Sequence, residues 1–155
     1  MSTRQNILAL DQAKKMYELE PNFPVNRYVL GQAFIANGMY QEAVSISEEG
    51  LQINPMNQFL LRNAGCAYAK LGRRREAEEI IKRFKAIEKT QYIMSYRIAS
   101  IYVALGEKDL AFAELEKAFD NRDWDLHRLK VDPFMDPLRG DPRFADLLKR
   151  VGLEK

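Results

Sequence analysis

Asn121, Asp123 and Asp125 fall at alternate positions, as the first three ligands of a calcium loop would. Such a loop also needs glycine at its sixth position and glutamate at its twelfth, where this chain has Leu126 and Asp132. Helix-end capping is the better use for these groups, and no metal site is expected. His127 is the only histidine, and no acid or nucleophile stands at a catalytic spacing from it, so it is assigned to the surface or to packing near the chain's end. Cys66 lies beside Gly65, where a small side chain suits close helix packing better than thiolate chemistry. Neither GxxxxGK[ST] nor GxGxxG occurs, so nothing cradles a phosphate. No catalytic residue, cofactor or metal is expected, and the chain does not read as an enzyme.

The densest charge is Arg73, Arg74 and Arg75, continued by Lys82, Arg83 and Lys85. Glu76, Glu78 and Glu79 lie among them at helical spacing, so pairing along one helix explains the run. Lys and Arg number 24 against 22 Asp and Glu, a net charge of +2 that announces no polyanionic partner. Nucleic acid is therefore not expected. One cysteine cannot form an internal disulfide, and no apolar run is long enough for a signal core or a membrane span. A cytoplasmic location without membrane contact follows as the expectation.

These side chains must be positioned by a repeating scaffold. Shifting the sequence by 34 residues aligns Ala9, Ala43, Ala77 and Ala111, and also Gly38, Gly72 and Gly106. The same shift aligns Gly31 and Gly65 with Ala99, and Phe34 with Tyr68 and Tyr102. A strict period of this length means stacked supersecondary units. Small residues let two helix backbones approach, an aromatic one turn later fills the wedge, and the later glycines close the first helix of each pair. Helices are expected near 4–19, 25–37, 41–53, 58–70, 74–88, 91–105 and 108–121. Asp-Pro pairs at 132–133, 136–137 and 141–142 should each start a turn or helix, and Gly152 should stop the last one. Leu138, Phe144, Leu147, Leu148 and Val151 then form an apolar stripe expected to cover the end of the last repeat.

The run Arg27, Leu30, Gly31, Phe34, Gly38, Tyr40, Ala43 and Pro55, with its copies 34 and 68 residues on, resembles the tetratricopeptide repeat. The copies lack the family's tryptophan, and Lys89 and Asp123 stand where its proline would fall. The resemblance implies an all-α fold, a right-handed superhelix of antiparallel helix pairs with a C-terminal helical cap, as one domain over 1–155. It divides into a partial repeat at 1–23, full repeats at 24–57, 58–91 and 92–125, and a capping segment at 126–155. Since the first helix holds second-helix positions, the chain is expected to be cut from a longer parent; a natural start at Met1, Ser2 and Thr3 is the alternative. From Trp124 onward the sequence resembles the ending of bacterial tetratricopeptide arrays, which follow cyclase, kinase or winged-helix regulatory domains.

In such proteins one stripe of each first helix lines a concave groove that takes a peptide or protein segment. The corresponding residues are Val25, Tyr28, Gln32 and Ile35; Phe59, Arg62, Asn63, Cys66 and Lys70; and Ile93, Tyr96 and Ser100. Relatives that clamp acidic chaperone tails carry lysine, asparagine and arginine at positions held here by Tyr28, Gln32, Asn63, Tyr96 and Ser100, and only Asn63 matches. An apolar or aromatic peptide, with an acidic group for Arg62 and Lys70, is the expected partner. Replacing Tyr28 and Tyr96 by alanine should then cost binding and leave helicity intact. The alternative is a structural solenoid that self-associates into a homo-oligomer through its first helix or its groove.

Overall fold

The computed structural model describes residues 3–154, and no strand occurs among them. Its helices are α1 (Arg4–Leu19), α2 (Pro24–Ala36), α3 (Tyr40–Ile53), α4 (Gln58–Lys70), α5 (Arg74–Glu88), α6 (Ser95–Leu105), α7 (Lys108–Asp120) and α8 (Pro142–Val151). Two short 3-10 helices, Trp124–Arg128 and Pro133–Leu138, separate α7 from α8. The chain forms two compact units that divide within α5, one ending at Arg83 and the other beginning at Phe84.

In the first unit, helices start where the local chemistry supplies acceptors or removes donors. The Thr3 hydroxyl accepts from the Asn6 amide at 3.1 Å, Pro24 occupies the first turn of α2, and Asn57 accepts from the amides of Phe59 and Leu60 at 3.0 and 3.1 Å. Consecutive helices α1 to α4 pack in order, and α2 also packs on α4. Ala13, Leu30, Ala33 and Ile46 form a buried cluster, flanked by Leu10, Tyr17, Val29 and Phe34. Gly31 marks a close approach: a Cβ there would lie 2.8 Å from Asn63 Nδ2. That Nδ2 donates instead to the Tyr28 carbonyl at 3.0 Å, tying α4 to α2. Along α5, Ala77, Ile80, Ile81, Phe84 and Ile87 are buried at helical spacing.

The second unit departs from the expected boundaries at α6, which begins at Ser95 and not near 91. Asp123 is the reason: its Oδ2 accepts from the Tyr96 amide at 3.1 Å, and its other oxygen accepts from the Tyr92 hydroxyl. A carboxylate at the helix's first turn satisfies an otherwise orphaned donor and complements the helix dipole. Holding Tyr92 by its hydroxyl draws residues 91–94 out of the helix. Beyond α7, Leu126, Leu129, Met135, Leu138, Phe144 and Leu147 bury themselves against Tyr96, Ala99, Val103, Phe112 and Leu115, with Leu148 and Val151 alongside.

Two of the three Asp-Pro pairs begin helices. The Asp132 side chain accepts from the Phe134 amide at 3.0 Å and Asp141 from the Arg143 amide at 2.9 Å, while Gly152 closes α8 in the left-handed region. Asp136 differs from the expectation. Its carboxylate pairs with Arg139 at 2.7 Å, and Pro137 lies inside the 3-10 helix begun by Pro133. A 3-10 turn tolerates proline there because few of its amides are needed as donors.

Candidate functional site

Twelve side chains were expected to line a groove, and the fold places them in two settings. Val25, Phe59 and Lys70 are exposed, and Tyr28 and Gln32 are half-buried. Ile35, Arg62, Asn63, Cys66, Ile93, Tyr96 and Ser100 are buried. Residues 60–68 of α4 are all enclosed, so its central turns offer no surface to a ligand. Arg62 is 2% exposed and has partners within the protein, as a buried guanidinium must. Its charge is thus spent internally. Lys70, at the exposed C-terminal end of α4, is the cation that remains from the expected pair.

In the first unit the geometry gathers an aromatic pair at the surface. The rings of Tyr28 on α2 and Phe59 on α4 lie with centroids 4.7 Å apart and planes tilted by 55°, within the range of favourable aromatic pairs. Phe59 stays 42% exposed and Val25 49%, so the pair forms an amphipathic surface at the N-terminal ends of the two helices. Phe23 and Met56, in the loops just before these helices, are also exposed apolar residues. Both lie outside the helical stripes; their signal in the sequence is an apolar residue in each loop that precedes α2 and α4.

In the second unit the same repeat positions serve the interior. Tyr96 is fully buried, and its hydroxyl donates to Asp132 Oδ2 at 2.9 Å. Ser100 donates back to the Tyr96 carbonyl at 3.1 Å, and Ile93 lies in the core ahead of α6. This differs from the expected groove role, because the segment after α7 covers α6. The acidic trio at 121–125 is divided as well. Asp125 forms a buried ion pair with Arg97 at 2.8 Å, Asp123 holds Tyr92 and the start of α6, and Asn121 is exposed at the end of α7. Burial raises the Asp123 carboxyl above its ordinary range, although the donors from Tyr92, Tyr96 and Ser95 pull it down. Desolvation, with the Asp123 hydrogen bond added, pushes the Tyr92 hydroxyl up to about 12.

The remaining candidates are also placed. His127 is exposed, with Nδ1 2.6 Å from the Trp124 carbonyl. Cys66 is fully buried. Among the basic run, Arg73 pairs with Glu76 at 2.7 Å, Arg74 with Glu78 at 3.4 Å and Lys82 with Glu79 at 2.7 Å. No described helix is long and apolar enough to cross a membrane. No group of three or more His, Cys, Asp or Glu that could hold a metal occurs among the described residues.

Residues 26–57 and 94–122 match the tetratricopeptide repeat family, the first and third copies of the 34-residue period. The chain is 31% identical over 67 residues to small glutamine-rich tetratricopeptide repeat-containing protein 2 of Mycosarcoma maydis, covering 43% of this chain and 19% of that protein. It is 26% identical over 80 residues to the TPR repeat-containing protein YpiA of Bacillus subtilis strain 168, covering 52% of this chain and 19% of that protein. The chain thus spans about a fifth of the length of these curated relatives. No solved structure matches it at a significant level. With helical hairpins in the 34-residue register and the family match on two of its copies, the chain carries tetratricopeptide repeats at residues 26–57 and 94–122.

Proposed function

We propose that this chain is a protein-interaction module that holds an apolar or aromatic peptide segment against the Tyr28 and Phe59 face. The observation that carries this reading is the contact of two aromatic rings, 4.7 Å apart, which stay partly in solvent, with Val25, Phe23 and Met56 exposed close by in sequence. Aromatic side chains are enriched at protein interfaces, and tyrosine is among those that anchor them. Gln32 offers a hydrogen-bonding group further along α2, and Lys70 offers a charge for an acidic residue of the ligand. The module belongs to the C-terminal part of a larger bacterial regulator in the cytoplasm, a reading supported by the likeness of the Asp-Pro ending to such arrays. Selecting a random peptide library on the native chain tests the reading. Apolar-aromatic peptides should emerge, and Tyr28→Ala with Phe59→Ala should weaken them about tenfold or more. Equal binding to the double variant, or no enrichment, contradicts it.

One observation favours self-association as a second reading. Leu8, Met16 and Leu19 of α1 are exposed on one side of that helix, Leu19 by 81%. Arg4 near its start and Glu18 and Glu20 near its end would complement each other across an antiparallel pair of copies. Light scattering over a concentration series should then show a mass that rises without ligand and falls back with Leu19→Glu.

A further inference from the structure

Five turns in this chain share one hydrogen-bond pattern, and one of them is built from the wrong residue for its backbone. After α2, α4, α6 and α8 the left-handed position is Gly38, Gly72, Gly106 and Gly152, with φ between 72° and 80°. After α7 it is Arg122, at φ 55°. The bonds are alike: Gly106 and Glu107 donate to Val103 and Tyr102 at 3.0 and 2.9 Å, and Arg122 and Asp123 donate to Phe119 and Ala118 at 3.1 and 2.9 Å. Glycine holds this conformation without the Cβ penalty that arginine meets. Strain of this kind persists where the side chain serves a purpose.

Arg122 borders an open hollow of about 370 Å³ in the second unit, together with Phe119, Leu126, Val151 and Leu153. Arg150 also borders it, but that charge is balanced by Glu116 and by Asp146 at 2.9 Å. Asp123 turns inward to Tyr92 and Tyr96 and is 4% exposed. The Arg122 guanidinium has no hydrogen bond or ion pair among the described residues. It is therefore the uncompensated cation at a hollow with an apolar wall, which Asp123, His127 and Arg150 also border. Trp124, 76% exposed, also borders the hollow, its ring 5.4 Å from that of His127. The His127 Nδ1 faces a carbonyl and so carries the proton, which leaves Nε2 open to a ligand's polar group.

We propose that this hollow is a second binding site, on the capping segment, for the C-terminal residue of a peptide that ends in a large aliphatic side chain. The aliphatic group fills the apolar hollow and leans on Trp124, while the terminal carboxylate pairs with Arg122. A chain terminus presents a side chain and a carboxylate from one Cα, which fits a hollow for one residue with one free cation beside it. The site is separate from the Tyr28 and Phe59 face and does not depend on it.

Trp124 is the chain's only tryptophan, so its fluorescence reports on the site directly. The probes are the peptide acetyl-Ala-Ala-Leu as the free acid and as the amide, and acetyl-Ala-Leu-Asp-amide, which places the carboxylate on a side chain. The free acid should give a saturable change and bind about tenfold or more tighter than either of the other two. Arg122→Gly should remove that preference while raising the melting temperature by about 2–4 °C, since glycine relieves the turn. Tyr28→Ala with Phe59→Ala should leave the titration unchanged. Equal binding of acid and amide, a stronger response to the aspartate peptide, or an Arg122→Gly protein that keeps the preference overturns the proposal. So does the absence of any saturable response, which would leave Arg122 as a cation serving only the end of α7.

Discussion

Tyr28 and Tyr96 occupy the same position two repeats apart, yet one is half-buried and the other is sealed inside. Tyr28 rests on Phe59, whereas Tyr96 has its hydroxyl on Asp132, 36 residues further along the chain. Position within a repeat thus fixes the direction of a side chain from its helix, and neighbouring segments decide whether that direction is surface or core. In the second unit the Asp-Pro segment covers α6, converting what would be a ligand-facing row into an internal polar network. Such networks are demanding, because each buried carboxylate must keep its donors.

The sharpest way to break this comparison is to truncate both tyrosines singly. Tyr96→Ala should destabilise the protein by about 3–5 kcal/mol, from the cavity and from the donor lost to buried Asp132, whereas Tyr28→Ala should cost about 1 kcal/mol or less. Urea unfolding measures both. Equal effects would mean that the two positions share one environment. Within the network, Arg97→Ala should cost about 3–5 kcal/mol because Asp125 is left buried and unpaired, while Arg97→Met with Asp125→Leu should recover most of that loss. A double variant as unstable as the single one would show that the pair is not the unit that matters.

A smaller effect separates the regions by pH. The fold raises the Tyr92 hydroxyl from its ordinary 10 to about 12, so it favours the protonated form. Its contribution to stability is complete below about pH 10 and is lost as pH climbs through about 12. Tyrosinate absorbance should show Tyr92 among the late-titrating groups, with the Tyr68 hydroxyl also raised by burial and by Glu48, and Tyr92→Phe should reduce the late amplitude by one tyrosine. A late amplitude unchanged by Tyr92→Phe would assign the shift elsewhere.

Much of the fold was legible in the sequence because its determinants are local. The glycines at 38, 72 and 106, the Asn57 and Asp141 caps and the apolar spacing of α5 act within a turn or two of themselves. The start of α6 was not, because its capping carboxylate, Asp123, lies 27 residues away from Tyr96. The candidate site was only half legible for the same reason. Helical spacing put Arg62, Cys66 and Tyr96 on the expected groove stripe, but nothing in a 34-residue period tells how completely other segments enclose them. Asp136 shows the limit at the shortest range: the same Asp-Pro pair caps a helix at 132 and 141 but not at 136, where Arg139 takes the carboxylate.

Phe59, with half-buried Tyr28 beside it, is the proposed binding surface, while the equivalent row of α6 is core. Titrating a library-selected peptide into Phe59→Ala tests this most directly, with the melting temperature recorded on the same sample. The expected result is binding weakened about tenfold or more with the melting temperature almost unchanged. Undiminished binding by the folded variant, or loss of binding only through unfolding, would contradict it.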